Sequence, residues 1–194
     1  HRGGTKLNKQ NVFDDFIAAA EWLIGNGITS PEHLAIWGGS NGGLLVGAVL
    51  NQRPELFAAA VPAVGVLDML RYQTASLNAR RWSDDYGLSE NPEEFAALRA
   101  YSPYHNLRSG TCYPPVLVQA DANDDRMVNY EEVWKFAQTA GLNGSGDFHI
   151  ALRMEPPHAS FGTTLVDLRR AAIGADTRHA ELAFAPGQAG RYRV

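Results

Sequence analysis

Ser40 stands in Gly38-Gly39-Ser40-Asn41-Gly42-Gly43, where Gly38-x-Ser40-x-Gly42 matches the nucleophile elbow. In that motif a strand turns sharply into a helix and a serine occupies the apex of a strained bend. The surrounding pattern agrees. Pro-Glu-His-Leu-Ala-Ile-Trp at 31–37 reads as a short buried strand, and the apolar stretch at 44–53 reads as a helix that Pro54 closes. Helix and strand must pack closely, so side chains at positions 38 and 42 are expected to collide there. The bend would place the Ser40 hydroxyl at the positive end of the following helix, where the Asn41 backbone N–H could meet a developing oxyanion. A phosphate-cradling loop fits poorly: no Gly-Lys-Ser/Thr follows, and Gly38, Gly42 and Gly43 miss the dinucleotide spacing.

A serine hydroxyl is a weak nucleophile at neutral pH and needs a base within hydrogen-bond reach, a role that suits histidine. The sequence offers six. His1 lies at the start of the chain, His33 precedes the elbow strand at the wrong end of the sheet, His105 falls in a turn, His149 inside a strand and His179 in the tail. His158, in the loop after the last strand, is the candidate base. The third member, a carboxylate that orients the imidazole, has three contenders in Asp121, Asp124 and Asp125, and spacing does not separate them. With Asp124 the chain order is Ser, Asp, His, that of the α/β-hydrolase arrangement. A metal mechanism finds no support: there is no His-Glu-x-x-His, and no histidine neighbours the 121–125 carboxylates, which read as solvated loop residues.

The 194 residues carry a net charge of −4 with a pI near 5.8, and 45% are hydrophobic. This is an ordinary globular composition with no basic footprint for nucleic acid. No apolar run reaches 18 residues, so no membrane partner is expected, and the amino terminus is not signal-like. A single cysteine, Cys112, precludes an internal disulfide framework and reads as a small buried or half-buried side chain. The compartment is left open, with the cytoplasm favoured. The chain begins at His1, and Arg2-Gly3-Gly4 reads as the middle of a loop, so the sequence is expected to be a piece of a longer protein.

The elements that must position Ser40 follow in order. Residues 1–10 read as a polar loop. Val12, Phe13, Phe16, Ile17, Ala20, Leu23 and Ile24 predict an amphipathic helix over 11–26, with Asp14 and Asp15 in its first turn. The apolar run 56–67 predicts a second strand that Asp68 ends. Asn91-Pro92 predicts a capped helix start, 101–105 a turn, and 115–120 a third strand. Beyond it come a loop at 121–126, a helix near 130–140, a strand at 148–154 and a helix near 163–173. Residues 1–173 thus read as one α/β domain, a parallel sheet with helices on both faces, followed by a loose tail at 174–194. Function in such sheets collects beyond the carboxyl ends of the strands, where Ser40, Asp124 and His158 all fall.

Several long blocks resemble the catalytic domain of the prolyl oligopeptidase family (peptidase S9) over about residues 1–158. They are Asn8-Lys9-Gln10-Asn11 with Phe13-Asp14-Asp15-Phe16, Thr29-Ser30-Pro31, the elbow through Leu45, Gln52-Arg53-Pro54-Glu55-Leu56-Phe57, Asp68-Met69-Leu70, Tyr101-Ser102-Pro103-Tyr104-His105-Asn106 and Asp124-Asp125-Arg126. The resemblance implies the carboxy-terminal half of an α/β-hydrolase domain, acting on small proline-containing peptides without a cofactor or metal. It implies Asp124 as the triad acid, Arg126 as the holder of a substrate carbonyl and Asn41 as an oxyanion donor. Trp82, within Trp-x-x-Asp-Tyr-Gly, would stack on the substrate proline, with Tyr86 beside it and Val66 as a pocket wall; a flat indole suits a pyrrolidine ring.

The departures from the family are specific. Pro156-Pro157 stiffen the approach to His158, Met127 stands where the family tends to valine, and helical periodicity fades after Ile173. The family's β-propeller, its first sheet strands and the tyrosine that donates to the oxyanion are absent from this sequence, and the missing strands would leave an apolar sheet edge exposed. The expected partner is therefore the missing amino-terminal part of the same protein. The alternatives are a related esterase or acylpeptide hydrolase with the same triad, and a non-catalytic fragment or remnant.

Overall fold

The computed structural model describes residues 1–75, 79–108 and 110–119. Two short 3₁₀ turns lead into helix α1, Gln10–Gly25, which buries Phe13, Ile17 and Ala20. The inward stripe is the one that the three-and-four spacing predicts. The start of α1 differs from expectation. Lys9 is the N-cap, so Asp14 and Asp15 lie in the second turn and do not cap the helix; Asp14 instead accepts a 2.8 Å hydrogen bond from Gln10 Nε2.

Strand β1 is Ala35–Gly39, shorter than the predicted 31–37 run and displaced from it, because Pro31–His33 forms a 3₁₀ turn. It is also less buried than expected. Ile36 faces the core, whereas Trp37 is 71% exposed. The elbow helix α2, Asn41–Gln52, follows, and Pro54 opens the next turn, as the sequence predicts. Strand β2, Ala59–Ala63, pairs in parallel with β1, Ile36 opposite Ala60 and Gly38 opposite Pro62.

The segment 115–119 extends the sheet on the far side of β2. Ala60 N donates to Pro115 O, Leu117 N to Ala60 O, Gln119 N to Pro62 O and Val64 N to Gln119 O, at 2.7–3.1 Å. Two parallel bridges, Ala60 with Val116 and Ala63 with Gln119, thus lie where the sequence predicts a third strand at 115–120. Among the described residues β1 is the sheet edge, and Trp37 lies on it.

The apolar run after β2 does not continue as strand to residue 67. The strand ends at Ala63, and Val64 takes a left-handed φ of +41°. The reason is packing. Gly43 of α2 and Gly65 meet backbone to backbone, so closely that a methyl at position 43 would stand 2.6 Å from Gly65 Cα. The chain turns there, and Val66, Leu67 and Met69 bury themselves as irregular backbone.

Short helices α3 (Tyr72–Ala75) and α4 (Ser83–Tyr86) precede α5 (Pro92–Tyr101). The α5 start is the predicted one. Asn91 Oδ1 accepts from Glu93 N at 3.0 Å and Glu94 N at 3.5 Å, with Pro92 at the first helical position. Cys112 is exposed, contrary to the buried or half-buried expectation, because its neighbour Tyr113 takes the interior position.

The turn after α5 braces the loop after β2. Ser102 Oγ accepts from Met69 N at 3.0 Å, Tyr104 N donates to Leu67 O at 2.9 Å, and Asn51 Nδ2 donates to Pro103 O at 2.7 Å. Buried Asp68 accepts from Arg71 Nε at 2.7 Å, and His105 Nδ1 lies 2.9 Å from Ser102 Oγ and 3.7 Å from Asp68 Oδ1. Burial lowers the His105 pKa from the ordinary 6.5; Asp68 opposes this, and Arg99 and Arg71 add to it. The folded imidazole thus holds its proton less tightly than the unfolded one. Its contribution to stability is complete above about pH 6.5 and is lost as pH falls through the lower folded value. The thermal midpoint is therefore expected to drop more steeply between pH 7 and 5.5 than in His105→Gln. Parallel pH profiles for the two proteins would contradict this.

Candidate active site

The backbone at Ser40 has φ +57° and ψ −117°, a conformation that serine adopts only under constraint. The constraint comes from both sides. Ser40 N donates to Ala63 O at 2.9 Å, tying the turn to the end of β2, while Leu44 N donates to Ser40 O at 3.1 Å and starts α2. Gly38 permits the reversal, since a methyl there would stand 2.7 Å from the Gly42 carbonyl carbon and closer still to its oxygen. Gly42 itself behaves differently from the sequence expectation. A methyl at position 42 meets nothing within 4 Å, and the crowded second glycine is Gly43, against Gly65 Cα and Ala63 O.

Ser40 is half-buried beside Asn41, the first residue of α2, and both line a cavity of about 390 Å³. Val66, Trp82 and Tyr86 line the same cavity. Five of the site residues expected from sequence are therefore gathered around one space, although they come from the elbow, the loop after β2, and α4 with the residue that precedes it. Trp82 and Tyr86 meet edge to face, with centroids 6.4 Å apart and planes at 87°. Tyr86 is held from another side by Tyr72 at 5.2 Å and 83°, and Tyr72 O–H in turn donates to Gly87 O. The Tyr86 hydroxyl donates to Asn41 Oδ1 at 3.1 Å. Burial raises its pKa well above the usual phenol range, with the Asp85 charge adding to the effect, so at neutral pH it is a donor.

Asp124, Arg126, Met127 and His158 lie outside the described residues, as do the loop, helices, strand and tail expected beyond residue 120. Among the described histidines, His1 lines the Ser40 cavity from the start of the chain, His33 bonds Ser30 Oγ through Nδ1 at 2.8 Å in the turn before β1, and His105 belongs to the Asp68 brace. No group of three or more His, Cys, Asp or Glu poised to hold a metal occurs among the described residues, and none of the described helices is long and apolar enough to cross a membrane.

Five contributors escaped the sequence reading. His1, Arg81, Asp84 and Asp85 also line the cavity. Lys9, placed in a polar loop by the sequence, is 2% exposed and pairs with Asp85 at 2.7 Å. Lysine is among the residues least often found fully buried, so only its non-local partner explains the position.

The sequence and the fold both have relatives among known proteins. The family model described as the prolyl oligopeptidase family matches residues 1–172. The chain belongs to the prolyl oligopeptidase family. It is 54% identical over 156 residues to the prolyl endopeptidase of Elizabethkingia meningoseptica, covering 80% of this chain and 22% of that protein. It is 48% identical over 129 residues to the prolyl endopeptidase of Dictyostelium discoideum, covering 66% and 17%. A solved structure from a structural and mechanistic study of two prolyl endopeptidases superposes with a TM-score of 0.76 at 53% identity, over 80% of this chain and 23% of that one. The parallel sheet with its helices is thus the arrangement of that family. The chain spans about a fifth of the length of the relatives it matches.

Proposed function

We propose that this chain supplies the nucleophile-bearing, carboxy-terminal half of the α/β-hydrolase domain of a serine endopeptidase that cuts short peptides after proline. The observation that carries this reading is the strained Ser40, opening with Asn41 into a cavity walled by Trp82, Tyr86 and Val66. The substrate proline ring lies against Trp82, and the scissile carbonyl faces Ser40. Ser40 Oγ attacks the carbonyl carbon as His158 takes its proton, and Asp124 orients the imidazole and stabilises its charged form. The Asn41 N–H donates to the oxyanion. Collapse expels the amine, which takes its proton from His158, and water then hydrolyses the acyl-enzyme by the same route reversed. Arg126 holds a further substrate carbonyl and Met127 lines the pocket. The rest of the polypeptide supplies the first sheet strands, the propeller and the second oxyanion donor.

The test is labelling with a fluorophosphonate, mapping of the modified residue, and turnover of a Gly-Pro reporter beside a simple ester. Stoichiometric modification at Ser40, lost in His158→Ala, with the proline amide preferred, is expected. Ser40→Ala is expected to reduce reporter turnover to background. Retained turnover in Ser40→Ala overturns the mechanism. Preference for the ester moves the protein to the esterase class, and failure to label in the complete polypeptide identifies a non-catalytic remnant.

A further inference from the structure

Lys9 lies 76 residues from its ion-pair partner in sequence, yet its ammonium is enclosed at the back of the candidate site. It makes two contacts there. Nζ stands 2.7 Å from Asp85 Oδ2 and 5.0 Å from the centroid of the Tyr86 ring, within reach of a cation–π attraction. Asp85 and Tyr86 are adjacent in α4, so one charge fixes that helix through a carboxylate and through an aromatic face. The far end of the same ring reaches the nucleophile, since Tyr86 O–H donates to Asn41 Oδ1 and Asn41 follows Ser40. Asn41 and Asp85 also line a second cavity, of about 600 Å³, into which Lys9 reaches.

We propose that Lys9 is a positioning residue for the reaction at Ser40. Its charge holds Asp85 and the Tyr86 ring, and the Tyr86 hydroxyl then holds Asn41, so that the proline wall and the Asn41 N–H keep one geometry. The inference rests on the serine peptidase reading. It adds to that reading a residue that touches neither substrate nor Ser40. A purely structural lysine would change how much protein folds. A positioning lysine changes how fast each folded site turns over.

The experiment is a double-mutant cycle in the complete enzyme, with kcat on the Gly-Pro reporter normalised to the number of sites titrated by fluorophosphonate. Lys9→Met is expected to lower per-site kcat about 100-fold, the scale of an ångström's misplacement. In a Tyr86→Phe background, where the link to Asn41 is already cut, the same change is expected to cost less than about 10-fold. Lys9→Arg keeps the charge and guards against loss of fold. With its bulkier planar head it is expected to retain per-site kcat to within about 10-fold, with the titre retained. Unchanged per-site kcat in Lys9→Met, a loss in Lys9→Arg as large as in Lys9→Met, or equal losses from Lys9→Met in both backgrounds, overturns the positioning role while leaving the peptidase reading intact. An unmodified enzyme that neither labels nor turns over the reporter overturns both.

Discussion

Gly43→Ala is expected to reduce fluorophosphonate labelling of Ser40 to about 1% or less of the parent rate, whereas Gly42→Ala is expected to label normally. The added methyl at position 43 would stand 2.6 Å from Gly65 Cα, 2.7 Å from Ala63 O and 3.0 Å from Gly65 N. All three atoms are backbone, so none can swing aside as a side-chain tip could. Overpacking of this kind costs about 1–3 kcal/mol, and the strain is released by moving one of the two backbones. Either movement disturbs the site. One displaces the start of α2, with Ser40 and Asn41, and the other displaces the loop that carries Val66. A shift near 1 Å is worth about a hundredfold in rate. Gly42 lies one residue away with nothing within 4 Å of its missing Cβ, and alanine there suits the helix better than glycine by roughly 0.5–1 kcal/mol. The pair separates a need for space from a merely glycine-rich turn. Equal labelling of the two variants would show that the contact between Gly43 and Gly65 does not hold the elbow.

That contrast also marks how far the sequence could be read. The elbow was legible because a Gly-x-Ser-x-Gly between an apolar run and a helical run leaves few alternatives, and the cap at Asn91-Pro92 because capping is a local interaction. Both are decided within a few residues. The end of β2 was not legible, since the run through Leu67 stays apolar while the backbone turns at Val64. What turns it is a contact with Gly43, some twenty residues earlier, and periodicity carries no trace of that. Trp37 misled for a related reason. It continues an apolar run, yet it lies on the edge strand and is exposed. The pocket residues Val66, Trp82 and Tyr86 came from family resemblance, because an aromatic pair at that spacing is by itself as compatible with an ordinary core. Lys9 fell within one of the quoted blocks but had no role until its partner Asp85 was in view.

Asp85→Asn is expected to lower stability by about 3–5 kcal/mol, the usual cost of removing one partner of a buried pair. The asymmetry of the pair is the reason. The Lys9 side chain is 3% exposed and Asp85 27%, so the group left behind is the more enclosed of the two. The ring of Tyr86 still attracts the ammonium, but a cation–π contact is worth roughly 0.5–2 kcal/mol and does not replace a carboxylate at 2.7 Å. Exposed pairs on the same surface behave otherwise. Arg80 and Glu90, 2.9 Å apart with both side chains more than half exposed, are expected to contribute little to stability, so Glu90→Gln is the control. Thermal denaturation checks both, with a fall of roughly 10 °C for Asp85→Asn and little change for Glu90→Gln at 2–4 °C per kcal/mol for a chain of this size. High salt should shrink the small Glu90 effect and leave the Asp85 effect nearly intact, because screening reaches exposed charges far better than enclosed ones. Comparable small losses for both variants would mean that water reaches Lys9, and the chain from Lys9 through Tyr86 to Asn41 would then lose its anchor.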